Sequence, residues 1–301
     1  MTARGFALFA AVSLVWGLPY LFIKIAVNGG FSPSGVAFVR VALAAAVLVP
    51  IAVWRGGVRE LRGRWPAVMA FALLEVCVPF PLIAFGEQHV ASSLAAILVA
   101  TLPLVIAVLA IRLDPEERAT GVRLAGLIVG LVGVALLLGV DVAGDGKELL
   151  GAFAILVATV GYALGAMIVK RSLSDLDPLA PIAGSLLVAS VVLAPAAALD
   201  WPSRSPSAGT LGALAVLGLV CTALAFLLYF ALIAEAGPSK ASVITYLNPV
   251  VALALGVIFL DESVSAATAA GLALILAGSW VATGGRRETP SAVAVEPKGV
   301  A

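Results

Sequence analysis

Long apolar runs alternate with short polar or glycine- and proline-rich breaks along most of this chain. A helix needs about 20 mostly apolar residues to cross the hydrocarbon core of a bilayer. Cutting the sequence at these breaks leaves ten suitable segments, which we number spans 1 to 10. Their residue ranges are 6–27, 34–54, 66–86, 91–111, 121–140, 149–169, 178–199, 210–233, 238–260 and 264–283. The pattern predicts an all-α membrane protein with ten transmembrane helices.

Composition also indicates a membrane protein, and it argues against a nucleic-acid-binding protein. Hydrophobic residues make up 62% of the chain and charged residues 12%, whereas a soluble domain is about 25% charged. The 18 Lys and Arg residues nearly balance the 17 Asp and Glu residues, so the basic excess that nucleic-acid binding needs is missing. We therefore expect the lipid bilayer, and no nucleic acid, as a partner.

The sequence offers little for a metal or a cofactor. Both cysteines, Cys77 and Cys221, fall inside apolar runs, which favours packing over a redox or metal role. The only histidine, His89, lies with Glu87 in a predicted loop after span 3, where we expect contact with solvent. We therefore predict no metal site and no cofactor.

The positions of the basic residues predict the orientation of the chain. Lys and Arg gather in cytoplasmic loops. If the N-terminus is inside, the inner segments hold 14 of the 18 basic residues and the outer loops hold only Lys147 and Arg204. Lys24 and Arg40, the remaining two, lie within spans. This asymmetry predicts that both termini are cytoplasmic and that residues 284–301 form a disordered cytoplasmic tail.

The second half of the chain repeats features of the first. An offset of 146 residues places Pro103 over Pro249 and Trp16 over Tyr162, and nearby offsets align glycines of spans 5 and 10. Each half then contains five spans, and because five is odd, the halves lie in the membrane in opposite orientations. Inverted repeats of this kind are common in secondary transporters, with the binding site between the repeats. The predicted repeats are residues 1–145 and 146–283.

Three stretches carry a resemblance to a known family: AVSLVWGLPYLFIK in span 1, FSPSGVAFVR before span 2, and AEAGPSKASVITYLNPVVALALGVIFLDESVSAATAAGLALILAGSWV in spans 9 and 10. With these, the chain resembles the drug/metabolite transporter superfamily, specifically its EamA-type ten-span branch. It departs from that pattern at RLDPEE, a predicted loop where the family more often has Gly-Glu-Arg. The resemblance implies movement of a solute across the cytoplasmic membrane, usually export, and leaves the solute open.

Prolines within spans 4 and 9 mark candidate helix kinks. Pro249 removes one N–H from span 9 and frees a backbone carbonyl, which must find another partner in lipid. Thr245 and Asn248 belong to a polar face of the same span and are candidates to contact this backbone or the solute. Pro103 gives span 4 a weaker version of this pattern. The alternative is that both are ordinary kinks with small polar residues that pack helices together.

Two charged residues within spans are the leading candidates for function. Glu75 lies near the middle of span 3, where a carboxylate is costly and therefore a functional candidate. We predict that it binds and releases a proton or pairs with a cation. Arg40 lies inside span 2 and is placed to meet an anionic group of the solute. The alternative for both residues is a structural salt bridge between neighbouring spans.

An aromatic and polar stripe follows one face of span 1. Ser13, Trp16 and Tyr20 recur at three- and four-residue steps, so they share a helical face. Lys24 continues this face, but we expect its ammonium group to reach the membrane interface instead. Further candidates for contact with the solute are three tyrosines in other spans: Tyr162, Tyr229 and Tyr246.

Glycine pairs spaced by four residues occur in spans 5 and 6, Gly126 with Gly130 and Gly161 with Gly165. This spacing allows close approach of two helices. We expect it to serve packing within the chain rather than dimerisation.

The sequence lacks the G-x-x-x-x-G-K-[ST] motif of a P-loop and the H-E-x-x-H motif of zinc proteases. We therefore predict no enzyme and no ATP motor, but a secondary active transporter that exports a small metabolite, an amino acid-like compound or a drug by alternating access. The expected energy source is a proton gradient or a solute gradient, and a monomer and a homodimer both stay open. The alternatives are a membrane scaffold that does not transport, or an intramembrane enzyme.

Overall fold

A computed structural model describes residues 1–113, 119–140 and 146–283. Throughout these ranges the regular elements are helices. The predicted tail at residues 284–301, and most of the RLDPEE segment, lie outside the described residues. An all-α membrane protein is therefore the observed class.

Helices occupy all ten segments that hydropathy predicts. Eight helical stretches are long and apolar enough to cross a membrane, namely Ala3–Asn28, Pro33–Trp54, Trp65–Glu87, Ser92–Leu113, Val122–Gly139, Gly146–Leu173, Leu179–Leu199 and Ala208–Ala236. Spans 9 and 10 correspond to two shorter apolar helices, Ile244–Leu260 and Ala266–Ala282.

Several spans are built from more than one helix. The first half contains α1 Ala3–Gly17, α2 Pro19–Asn28, α3 Pro33–Trp54, α4 Gly57–Glu60, α5 Trp65–Ala72, α6 Pro79–Glu87, α7 Ser92–Val99, α8 Leu102–Leu113 and α9 Val122–Val140. The second half contains α10 Gly146–Ile168, α11 Leu179–Leu199, α12 Ala208–Ala215, α13 Ala225–Ala236, α14 Pro238–Ala241, α15 Ile244–Leu260 and α16 Ala266–Ala282. Among the described residues, three π-helical segments complete the spans: π1 Leu73–Cys77, π2 Val169–Leu173 and π3 Val216–Leu224.

The two predicted kinks differ in the structure. Span 4 is interrupted between α7 and α8, and Pro103 is the second residue of α8, where its missing N–H leaves no intrahelical bond unmade. Pro249 instead lies inside α15, which continues through it. A similar interruption divides span 1 at Leu18, directly before Pro19.

The helices pack in pairs that join the two halves of the chain. Span 2 packs on span 7 through α3 and α11, span 5 on span 10 through α9 and α16, and span 4 on span 9 through α7 and α15. Span 1 packs on span 8, as span 3 packs on span 6.

The glycines of span 5 serve this packing within the chain. A Cβ atom on Gly126 would lie 2.6 Å from the backbone nitrogen of Ala282, and one on Gly278 would lie 2.6 Å from the Cα of Gly130. The backbones of α9 and α16 therefore touch at these positions, as expected for glycines that pack helices together.

Candidate functional site

A cavity of about 240 Å³ lies at the centre of the helix bundle. Its walls come from both halves of the chain, from spans 1 to 4 and spans 6 to 9. Eight residues that the sequence analysis singled out line it: Trp16, Tyr20, Arg40, Glu75, Tyr162, Thr245, Asn248 and Pro249. The structure therefore brings together most of the predicted candidates, from five different spans.

The other four candidates lie elsewhere. Ser13 is buried in α1, where its hydroxyl donates to the carbonyl oxygen of Phe9 at 2.8 Å. The remaining three, Tyr229, Tyr246 and Pro103, are likewise absent from the cavity lining. Tyr246 lies near the end of α16, with its hydroxyl 3.3 Å from the Thr283 hydroxyl.

Glu75 reaches the cavity from π1, a departure from α-helical geometry that the sequence analysis missed. The prolines that follow explain the departure, because Pro79 cannot donate to the carbonyl of Glu75 four residues earlier. The backbone N–H of Val78 bonds the Leu73 carbonyl five residues back, at 3.0 Å. Single π-helical turns of this kind occur frequently at functional sites.

A glycine of span 6 makes room for the Glu75 carboxyl. A Cβ atom on Gly165 would lie only 2.5 Å from Glu75 Oε2, and a Cβ atom on Gly161 would lie 2.6 Å from the Leu74 carbonyl oxygen. The second glycine pair therefore packs α10 against π1. The Glu75 carboxyl therefore lies beside the backbone of α10 at Gly165 rather than beside a side chain.

Arg40 is held from two sides. Its Nε donates to Thr222 Oγ1 at 2.9 Å, and its guanidinium carbon lies 3.8 Å from the centroid of the Phe80 ring. A guanidinium over an aromatic face is a favourable cation–π contact. In the described part of the chain, Arg40 and Glu75 do not form the salt bridge that the sequence left open, since the ion pairs found there join other residues. The guanidinium therefore lines the cavity with no carboxylate partner among the residues that the structure describes.

Thr222 belongs to π3, the π-helical segment of span 8. Its hydroxyl also donates to the Leu217 carbonyl five residues earlier, at 2.8 Å. Nothing in the sequence marks Thr222 or Phe80, because neither is charged and both lie in apolar runs. Only the packing of span 8 on span 2 places Thr222 beside Arg40.

Aromatic rings form one wall of the cavity. The Trp16 ring meets Phe226 edge to face, with centroids 5.8 Å apart, and tilts against Tyr229 at 4.7 Å. Tyr229 thus supports Trp16 from behind instead of lining the cavity. Rings in these arrangements fix one another and offer a solute a rigid apolar surface.

Spans 1 and 9 cross closely beside the cavity. In the amide orientation that satisfies its neighbours, the Asn248 side chain donates to the carbonyl oxygens of Ser13 at 3.2 Å and Ile244 at 3.0 Å. A Cβ atom on Gly17 would lie 2.6 Å from Cβ of Val251, so only glycine allows this approach. Asn248 therefore joins the two spans while lining the cavity.

We call the end of the bundle where α2 and α6 end the outer end, following the predicted orientation. Glu262, after α15, accepts hydrogen bonds there from the backbone N–H groups of Ser92 at 2.6 Å and Ser93 at 3.0 Å. Burial raises the pKa of Glu262, but the hydrogen bonds from Ser93 and Ser92 outweigh it and hold the pKa below its usual value. An ionised carboxylate thus caps the first turn of α7 and ties span 9 to span 4.

Lys24 and Glu87 also lie at the outer end. The Lys24 ammonium donates to the carbonyl oxygens of Glu87 at 2.5 Å and Val90 at 3.0 Å, two contacts that the sequence did not predict. The Glu87 side chain is fully buried, and His89, for which we expected contact with solvent, is half-buried. These contacts form because the loop after span 3 packs against α2.

Ion pairs join two loops at the opposite, inner end. Arg64 contacts Asp175 at 2.8 Å, and Arg55 lies 3.8 Å from Asp177. Glu60 accepts a hydrogen bond from the backbone N–H of Asp177 at 3.0 Å. Exposed pairs of this kind contribute about 0–1 kcal/mol each, so they link the loops without locking them.

The helices are long and apolar enough to cross a membrane, and the Arg40 guanidinium and the Glu75 carboxyl line a central cavity between them. These features define a multi-pass membrane protein of the solute-transporter class. The model of the EamA-like transporter family matches residues 3–139 and again residues 149–284. The chain belongs to this family, and it is a membrane transporter.

Named relatives agree with the family assignment. The chain is 29% identical over 299 residues to the uncharacterized inner membrane transporter YedA of Escherichia coli K12, covering 97% of this chain and 94% of that protein. It is 27% identical over 266 residues to an uncharacterized transporter of Archaeoglobus fulgidus, covering 88% and 94%. A solved crystal structure matches with a TM-score of 0.67 at 23% identity, covering 94% of this chain and 98% of the other, which supports the fold alone.

Proposed function

We propose that this protein is a secondary active transporter that moves a small charged metabolite by alternating access, with Arg40 and Glu75 at its binding site. The observation that carries the proposal is the placement of both side chains on the wall of one central cavity, without a salt bridge between them among the described residues. If Arg40 and Glu75 only stabilised the fold, they would form a salt bridge with each other. If they bind a solute, they must stay apart so that each can contact it. A charged solute then supplies the partner for each group.

We propose the predicted membrane architecture as the setting of this site: ten spans, two inverted repeats at 1–145 and 146–283, and both termini in the cytoplasm. Two observations support it. π1 and π3 occupy equivalent places in spans 3 and 8, and the packing of span 1 on span 8 mirrors that of span 3 on span 6. The family model also matches twice, with a boundary near residue 145.

The size and chemistry of the cavity favour an amino acid-like solute. Its 240 Å³ is below the roughly 300–1,000 Å³ of pockets that hold drug-sized ligands. Arg40 offers a carboxylate a forked set of donors, and Glu75 offers an ammonium group a counter-ion. The apolar wall at Trp16 and Phe226 suits an aliphatic or aromatic side chain. We therefore place a small zwitterion ahead of a bulky drug, and we infer export from the family resemblance.

Glu75 is our candidate for proton coupling. A carboxyl inside the bundle is costly to ionise unless a cation neutralises it. Binding of a cationic group therefore competes with binding of a proton at the same oxygens. If Glu75 binds the proton and the solute in alternation, a proton gradient drives the solute across the membrane in the direction opposite to the proton.

The first test is a screen for thermal stabilisation by amino acids, nucleosides, organic acids and drugs, since a ligand of the folded state raises apparent stability. Hits then enter solute counterflow in proteoliposomes. A transporter exchanges labelled solute and returns it chemically unchanged, whereas a scaffold supports no exchange and an enzyme alters its ligand.

Two variants examine the binding roles. We expect Arg40→Ala to weaken binding of anionic and zwitterionic hits more than binding of neutral ones. We expect Glu75→Gln to abolish the dependence of transport on a proton gradient while counterflow continues. Wild-type proton-driven transport in Glu75→Gln contradicts the coupling role.

A further inference from the structure

Glu87, the last residue of α6, is a buried acidic group without a role in the proposed transport site. Its side chain is completely inaccessible to solvent. Neither carboxyl oxygen has a hydrogen-bond partner among the residues that the structure describes. A buried carboxylate with no hydrogen bonds costs far more free energy than a neutral carboxylic acid. Such a group takes up a proton unless a counter-ion reaches it.

The nearest candidate counter-ion is bonded to the backbone of Glu87 instead of its carboxyl. The Lys24 ammonium donates to the main-chain carbonyl oxygens of Glu87 and Val90. In the described part of the chain, Lys24 and the Glu87 carboxyl form no ion pair. A change in the Lys24 side-chain conformation would therefore bring its ammonium group to the Glu87 carboxyl.

Two further charged groups act on Glu87. Arg40 acts on it from α3, and Glu262 acts on it from the loop after α15. Arg40 favours ionisation and Glu262 opposes it, but Arg40 is held by Thr222 and Glu262 by the first turn of α7. Arg40 forms no ion pair with the Glu87 carboxyl in the described part of the chain, and Glu262 is bound to the first turn of α7.

Tyr20 connects Glu87 to the central cavity. It lines the cavity, and its hydroxyl is within electrostatic range of both Glu87 and Arg40. Glu87 lies 12 residues after Glu75 on the same span, roughly 18 Å further along the axis. The two carboxyls thus mark the middle of the bundle and its outer end.

We propose that Glu87 is a second proton-binding site of this protein, protonated in the conformation described here, with Lys24 as its counter-ion when the proton leaves. On deprotonation the proton passes from the Glu87 carboxyl to water. The Lys24 ammonium keeps its three protons and moves from the backbone carbonyls to the carboxylate. That movement frees the Val90 carbonyl and replaces the backbone contact between α2 and the end of α6 with an ion pair between the same two helices. The role in coupling rests on the proposed transport function, whereas proton binding itself does not.

Infrared spectroscopy of the protein in lipid tests this directly, because a protonated carboxyl absorbs separately from a carboxylate. Near neutral pH, we expect Glu87→Gln to lose one protonated-carboxyl component that Glu75→Gln, the matched control on the same span, retains. Equal carboxyl absorption in wild type and Glu87→Gln overturns the proposal.

Lys24→Met keeps the test independent of whether Glu87→Gln folds. Without the ammonium group to stabilise the carboxylate, the Glu87 component should persist to a more alkaline pH than in wild type. An unchanged titration rules out Lys24 as counter-ion. Counterflow measured in the same vesicles separates the two proposals, since a Glu87 component without any solute exchange leaves the proton site standing and removes the transport role.

Discussion

Arg40 of span 2 donates from Nε to Thr222 Oγ1 of span 8 at 2.9 Å, so a π-helical turn of one half of the chain orients a cation of the other. The bond uses the nitrogen nearest the side-chain stem. The terminal nitrogens of the guanidinium fork are then available to a carboxylate in the cavity. Under the proposed function, Thr222 orients Arg40 toward the solute.

Thr222→Val should weaken binding of carboxylate solutes by about five- to tenfold, the effect of one lost hydrogen bond of about 1 kcal/mol. Valine has nearly the shape of threonine, so packing is preserved. Thr222→Ser keeps the hydroxyl and should bind like wild type. Titration calorimetry with a hit from the ligand screen measures both. Equal affinity in all three proteins argues against an orienting role for Thr222.

Gly165→Ala should disturb Glu75 without changing a charge. The new methyl group would lie 2.5 Å from Glu75 Oε2, so the carboxyl must move. We expect a destabilisation of about 1–3 kcal/mol from overpacking and an altered pH dependence of counterflow. Gly212→Ala is the matched control, because a Cβ atom there meets nothing within 4 Å. If Gly165→Ala has the wild-type pH profile, the glycine does not position the carboxyl.

Hydropathy predicted the helices well because the length of a span follows from bilayer thickness. Hydropathy predicted less well which face of each helix contacts the protein core and which contacts lipid. Both environments are apolar, so the residues on the two faces differ little in hydropathy. Glu75 and Arg40 were found since charges inside spans are rare. Thr222 and Phe80 were missed, as nothing distinguishes them from neighbours in apolar runs until span 8 packs against span 2.

The outer end was the part least accessible to sequence. Lys24 stands near the edge of a span, where a long charged side chain usually reaches the interface, so that was the reasonable expectation. Its bonds to the backbone at Glu87 and Val90 join residues 63 and 66 positions apart in the chain, and the burial of Glu87 has no local signal. The capping of α7 by Glu262 spans 170 positions and has no local signal either.

Glu262→Gln should lower thermal stability at neutral pH and flatten its dependence on acid. The pKa of Glu262 is lower in the folded protein than its usual value of about 4.3. Its contribution is therefore fully present above that usual value and is lost as pH falls through the folded pKa. Losing a capping group of this kind costs about 1 kcal/mol. Melting temperatures of both proteins across an acidic pH series should converge at low pH; parallel curves contradict a role for the ionised form.

Gly278→Ala distinguishes packing within the chain from packing between chains. The new methyl group would lie 2.6 Å from the Cα of Gly130, so α9 and α16 must separate. We expect a loss of about 1–3 kcal/mol in stability, with the oligomeric state unchanged, because both helices belong to one chain. Native mass spectrometry and thermal melting measure the two properties, with Gly212→Ala as the control. Dissociation of a dimer at unchanged melting temperature would place these glycines at an interface between copies, because only a contact between chains can be lost without weakening the fold of each.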